Sequence, residues 1–266
     1  MKQRVIFGVV GAAAVLLALF VLPPIVLKLA FTFLACVAVF ELIGSTKLVR
    51  DRVMILIAVG YAALYGLSLY TPLHAVQMLL QTVFILALFA RLLHKYETSR
   101  FTDLSGAAFA GICLTWLFLS LVRIFSMENG AWLVLLPMVA AWGSDTCALF
   151  AGMLFGKHKL APVVSPKKTI EGAVGGVLGA TLLMVLVVLL YNKFTPIDIP
   201  IWAAVLLGAV GAVIGQLGDL AFSVIKRHTG IKDYGHIFPG HGGVLDRFDS
   251  VVFVAPVVEI ILQLVA

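Results

Sequence analysis

The residues able to do chemistry are few in this chain, and they cluster. Ser165-Pro166-Lys167-Lys168-Thr169 sets a basic pair between hydroxyls. Further on, Gly218-Asp219 opens a denser stretch that passes through Ser223, Lys226, Arg227, Lys232, His241-Gly242-Gly243, Asp246 and Arg247 to Asp249. Carboxylates and cations at this density suggest phosphate chemistry. Carboxylates hold a hard divalent ion, the ion holds phosphates, and Lys and Arg neutralise the remaining charge. The logic is phosphoryl or nucleotidyl transfer. No HExxH helix, Walker A loop or Ser/His/Asp triad order is present.

Each of these residues also has a plainer reading. On a helix, Asp219, Ser223 and Lys226 share one face. Lys226 and Arg227 would equally suit the last turn of a helix ended by Gly230, where the dipole favours cations. Asp246 and Asp249, three apart where the last apolar run begins, share a face as metal binding requires; helix capping would account for one of them. Gly240, Gly242 and Gly243 allow backbone to approach a phosphate closely. Ser165-Pro166 reads as an N-cap and first helical position, so that helix-end N–H groups and Lys167 and Lys168 would form an anion site. Taken alone, those two lysines are better explained as membrane anchors. Asp145 stands twelve residues before Lys157, roughly 18 Å inside a helix. A carboxylate at that depth faces a partner or an aqueous cavity, and function is favoured over a buried hydrogen bond. Glu41 and Glu259 lie near the ends of apolar runs. Glu41 receives no role, and Glu259 is assigned to helix pairing.

The elements that must position these residues are transmembrane helices. Of the 266 residues 62% are hydrophobic and 12% charged, more apolar surface than one soluble core can hide. Runs long enough to span a bilayer fall at 5–22, 26–44, 53–70, 73–90, 105–122, 131–154, 173–191, 201–224 and 251–265. The run after Met1-Lys2-Gln3-Arg4 lacks a small-x-small cleavage site and is expected to stay as the first span. With the amino terminus inside, only Lys28, Arg123 and Lys193 of the 19 Lys and Arg fall outside. That is the positive-inside pattern, and it also accounts for the net charge of +6 without nucleic acid. The expectation is an all-α polytopic bundle of about nine spans, N-in and C-out, with a cytoplasm-facing active-site cavity. Residues 1–130 would supply about five amino-terminal helices, and 131–266 the catalytic region. The glycine pairs Gly172/Gly176, Gly175/Gly179 and Gly211/Gly215 are read as close helix contacts. The three cysteines show neither disulfide nor zinc spacing.

One stretch carries a resemblance. Ser223-x-Ile225-Lys226-Arg227, then Lys232-Asp233-x-Gly235, then Phe238-Pro239-x-His241-Gly242-Gly243-Val244-x-Asp246-Arg247-Phe248-Asp249 resembles the signature of the phosphatidate cytidylyltransferase (CDP-diacylglycerol synthase) family. Ser165-Pro166-Lys167-Lys168-Thr169-x-Glu171-Gly172 and Gly218-Asp219-Leu220 resemble further segments of it. These motifs cover roughly the carboxyl-terminal half. The resemblance implies conversion of CTP and phosphatidate to CDP-diacylglycerol and pyrophosphate, with Mg²⁺ and a second, monovalent cation such as K⁺. The family's metal-site aspartates correspond to Asp219 and Asp246, with Asp249 close by and Asp145 as a further candidate. In that setting Asp219, Asp246, Lys226 and Arg227 would be catalytic. Ser165, Lys167, Lys168, Thr169, Ser223, Lys232, His241, Gly242, Gly243 and Arg247 would bind substrate. A bacterial cytoplasmic membrane, lipid contacts and a homodimer are the matching expectations. The rivals are another CTP-dependent lipid kinase or transferase, and a transporter of an anionic phosphate compound. A CDP-alcohol phosphotransferase would need a longer aspartate-rich helix, and a transporter would need polar residues across the whole membrane depth.

Overall fold

A computed structural model describes residues 17–71, 73–237 and 242–265. Among these residues the chain is helical throughout, apart from loops and one small hairpin. Six helices are long and apolar enough to cross a membrane: Pro24–Ser45, His74–His94, Phe101–Phe125, Gly130–Phe155, Ile170–Phe194 and Ile201–His228. Arg52–Ser68 and Val251–Val265 are apolar but shorter. The first expected run lies mostly outside the described residues, although 17–21 are helical. Only 22% of the apolar window of Ile170–Phe194 is buried within the protein, with Leu178, Leu182 and Leu186 turned outward. Such a face needs lipid as its solvent.

The chain divides into two compact units. The first comprises Met1–Thr115 and Tyr234–Leu245. Its helices are α1 (Pro24–Phe40, continued by a π-helical turn Glu41–Ser45), α2 (Arg52–Ser68), α3 (His74–His94) and α4 (Phe101–Ala108, continued by a π-helical turn Phe109–Leu114). Asp51 caps α2 by accepting the Val53 N–H at 2.8 Å, and its carboxylate takes the Arg91 guanidinium of α3 with both oxygens. Asp103 of α4 accepts the N–H groups of Arg50 and Arg100. Charges at the ends of these apolar helices are thus spent on tying loops together.

The second unit comprises Trp116–Asp233 and Asp246–Ala266. After α5 (Thr115–Phe125) and a short α6 (Gly130–Leu133) come α7 (Leu135–Phe155), the strands β1 (Lys159–Ala161) and β2 (Ser165–Thr169), α8 (Ile170–Phe194), α9 (Ile201–His228), α10 (Leu245–Phe248) and α11 (Val251–Val265). Helices α7, α8, α9 and α11 pack on one another. The glycines of α8 permit this. A Cβ at Gly175 would collide with Ala151, at Gly179 with the Cys147 side chain, and at Gly176 with the Ser144 carbonyl. Gly211 of α9 meets Ala140 in the same way. Near the far end of this bundle Arg123 of α5 pairs with Glu259 of α11 at 2.7 Å, which is the helix pairing expected of Glu259.

The all-α expectation needs one correction. Segment 165–169 is a strand, paired antiparallel with β1 in the register Lys159↔Thr169 and Ala161↔Ser165. Ser165-Pro166 therefore does not open a helix. The residue before a proline is biased to extended backbone, and Ser165 obeys that bias. Helix α8 starts later, at Ile170, with Thr169 as its N-cap: the hydroxyl accepts the Gly172 N–H at 3.1 Å. Glu171 in the first turn then accepts the N–H groups of Lys157 and His158, and bonds His158 Nδ1 at 2.6 Å. That carboxylate closes the hairpin at its base.

Candidate active site

The second unit gathers its charged residues from four elements. Lys168 on β2 forms an ion pair with Asp219 on α9. Two turns further along α9, Lys226 meets Asp246 of α10 at 3.2 Å. Asp145 on α7 lies within electrostatic reach of both Asp219 and Lys168. Asp249 sits in the turn between α10 and α11, buried, with its own carboxylate accepting the Ser250 N–H at 2.9 Å. Burial, reinforced by the negative charge of Asp219, pushes the Asp249 carboxyl up, against the pull of Lys226. Four aspartates therefore share one neighbourhood with two lysines. The cluster is short of positive charge.

Beside this cluster lies a cavity of about 530 Å³. Its polar wall is Asp145, Lys167, Lys168, Thr169, Gln216 and Asp219; its apolar wall includes Leu149, Met153 and Leu160. The hairpin, and not a helix N-terminus, is what brings Lys167 and Lys168 to this wall. Gln216 is fixed by donating to the Ser144 hydroxyl at 3.0 Å and to the Ala173 carbonyl at 3.1 Å. Both its amide hydrogens are thereby engaged. A pocket with mostly apolar walls and a few convergent polar groups is the usual form of a small-molecule site.

The remaining sequence candidates fall around this centre or away from it. Ser165 stands at the start of β2 and Ser223 on α9, both half-buried. Arg227 is exposed, and its Nε donates to the Val164 carbonyl at 3.3 Å, bracing the hairpin turn rather than facing Asp219. Lys232 is exposed in the loop after α9. Arg247 is exposed on α10, and its carbonyl receives the Trp142 Nε1–H at 3.3 Å. Asp246 and Asp249 do not share a face of one helix, because the chain breaks at residues 249–250 between α10 and α11. Gly242 and Gly243 belong to the first unit; Gly242 has φ +85°, a conformation that favours glycine. His241 lies outside the described residues. Gln216, Ser144 and Ser250 were missed by sequence reasoning, since single polar residues in apolar runs carry no pattern.

A model of the cytidylyltransferase family matches residues 2–265. The chain belongs to the cytidylyltransferase family. The phosphatidate cytidylyltransferase of Staphylococcus haemolyticus is 34% identical over 258 residues, covering 93% of this chain and 96% of that protein. The enzyme of the same name from Staphylococcus aureus is 34% identical over 253 residues with the same coverage. A third, from Staphylococcus saprophyticus, is 41% identical over 157 residues, 59% of each chain. The resemblance carried by the motifs thus extends over the cytidylyltransferase chain as a whole.

Proposed function

We propose that this cytidylyltransferase transfers the cytidylyl group of CTP to phosphatidate, forming CDP-diacylglycerol and releasing pyrophosphate. Supporting this is a family match across the chain, together with relatives of that name at full-length coverage. The single observation that carries the chemistry is the Lys168–Asp219 pair on the wall of the cavity. A cation already held by a carboxylate can exchange that partner for a phosphate without crossing apolar surface. Lys226 and Asp246 offer the same exchange.

In the reaction, a phosphate oxygen of phosphatidate bonds to the α-phosphorus of CTP, and the bond from that phosphorus to the bridging oxygen breaks. Pyrophosphate leaves with the electron pair. The attacking oxygen is an anion near neutral pH, so no strong general base is required. Positioning and charge neutralisation supply the acceleration. Lys167 and Lys168 would receive the triphosphate, and Lys226 the phosphate nearer Asp246.

Mg²⁺ belongs to the same proposal. The donor set is all carboxylate oxygen, which suits a hard ion, and the deficit of positive charge around Asp145, Asp219 and Asp249 agrees with one. Among the described residues, no three His, Cys, Asp or Glu side chains already converge on one point, and Asp219 and Asp246 are each engaged by a lysine. Asp219 and Asp246 would hold the ion, with Asp249 or Asp145 completing the set, and it would neutralise phosphate charge. A monovalent cation beside it has only the resemblance in its favour. The arrangement proposed for the membrane is nine spans, amino terminus inside and carboxyl terminus outside, with the cavity open to the cytoplasmic face of a bacterial inner membrane. The basic-residue bias supports it. A homodimer is proposed on resemblance alone.

Purified protein given labelled CTP and phosphatidate in mixed micelles should form CDP-diacylglycerol, and EDTA should stop it. Release of pyrophosphate without lipid product, or turnover insensitive to EDTA, would reject the reaction or the metal respectively.

A further inference from the structure

Glu41 is a carboxylate set in an apolar helix, and it is only 3% exposed. A buried carboxylate is costly unless it is hydrogen-bonded, so its partners indicate what it is for. Its Oε1 accepts the Val244 N–H at 3.1 Å, and its Oε2 accepts the Leu245 N–H at 2.8 Å. Both lie in segment 234–245, which belongs to the same compact unit. The carboxylate also fills the space beside two glycines of that segment: a Cβ added at Gly235 or Gly243 would overlap it. Four positions of the signature segment are therefore shaped around one side chain. Glu41 opens the π-helical turn Glu41–Ser45, and such turns inside α-helices recur at functional sites.

We propose that Glu41 is a positioning residue for cytidylyl transfer, holding the backbone at Gly235 and from Gly243 to Leu245 in its working conformation. The inference rests on the reaction proposed above. Leu245, which Glu41 grips, is joined by a peptide bond to Asp246. The grip needs two acceptors, one for each N–H. Glutamine would set its own NH₂ against one of those donors, leaving a donor facing a donor. Aspartate keeps both acceptors on a stem one methylene shorter. The two glycines follow from the same fit, because only a residue without a side chain leaves room for the carboxylate.

The test uses the full-length protein in mixed micelles, with kcat, KM for CTP and for phosphatidate, and thermal midpoint measured for each variant. Glu41→Gln is expected to lower kcat about 100-fold, the scale of an ångström misplacement, while the thermal midpoint falls by only a few degrees for the one unsatisfied donor. Glu41→Asp should recover part of that loss. Wild-type kcat in Glu41→Gln, or a loss fully explained by the unfolded fraction, would overturn the inference. Should Glu41→Gln not fold, Gly243→Ala decides. It should be severe in the parent and nearly silent when Glu41→Ser has removed the carboxylate; equal costs in the two backgrounds would overturn the inference. A parent protein that makes no CDP-diacylglycerol would instead overturn the proposed reaction.

Discussion

Asp219 and Asp246 each have a lysine already in place, and this makes their removal informative. In Asp219→Asn the amide leaves Lys168 with a neutral partner while side-chain volume is unchanged. Turnover is expected to vanish with membrane insertion and detergent monodispersity intact, and Asp246→Asn should behave alike. Substantial Mg²⁺-dependent product from either variant would remove that residue from the metal. The lysines give a second prediction. Lys168→Ala and Lys226→Ala should lower kcat/KM by about 100-fold or more, because a cation at a water-poor phosphate site is poorly screened. Lys47 and Lys95, exposed in loops of the first unit, should lose less than about twofold on the same change. Matching losses in both groups, at equal expression, would make the site lysines mere anchors. That these residues come together was legible because charge in an apolar sequence is rare and its spacing conspicuous. Glu41 could have been suspected for the same reason, as a carboxylate inside an apolar run. Its partners could not, because they are backbone N–H groups, which leave no trace in residue types.

At the level of elements, the apolar runs and the glycine spacing of α8 translated directly into helices and their close contacts. Segment 165–169 did not. A proline after serine serves a helix start and an extended strand equally well, and pairing with Lys159–Ala161 is a tertiary outcome that local pattern does not encode. The break between α10 and α11 escaped for a similar reason, since Asp246-Arg247-Phe248-Asp249 has no helix breaker. The glycines offer a direct check. Gly176→Val should drive α7 and α8 apart and disturb Gln216, which lies against the space that a Cβ would take. The expected cost is about 1–3 kcal/mol, read as a lower melting temperature in detergent. Gly60→Ala on α2 meets nothing within 4 Å and should leave melting unchanged or raise it. A Gly176→Val protein as stable as its parent would show that α7 and α8 do not need the close approach.

For the molecule as a whole, membrane residence follows from the six long apolar helices among the described residues, with their outward-facing leucines. The number of crossings is a finer question, since Arg52–Ser68 and Val251–Val265 are short for a span and the first run lies outside the described residues. The distribution of Lys and Arg speaks for nine. A reporter fused after Ala266 should therefore be active only when it works outside the cytoplasm, and one inserted at Lys232 only within it. A cytoplasmic signal from the Ala266 fusion would remove or add a span.

The boundary between the two compact units does not coincide with any single cut in the chain, because residues 234–245 belong with the amino-terminal helices. Inheritance should follow this interleaving. When two relatives recombine at one crossover near residue 130, a progeny chain receives its Glu41 turn from one parent and the segment fitted to it from the other. Whatever small adjustments each lineage has made around that carboxylate would then be mismatched. A chimera that carries residues 234–245 along with the amino-terminal half should work where the single-crossover chimera is poor. The boundary relevant to engineering is thus a patch within a motif, not a point between halves.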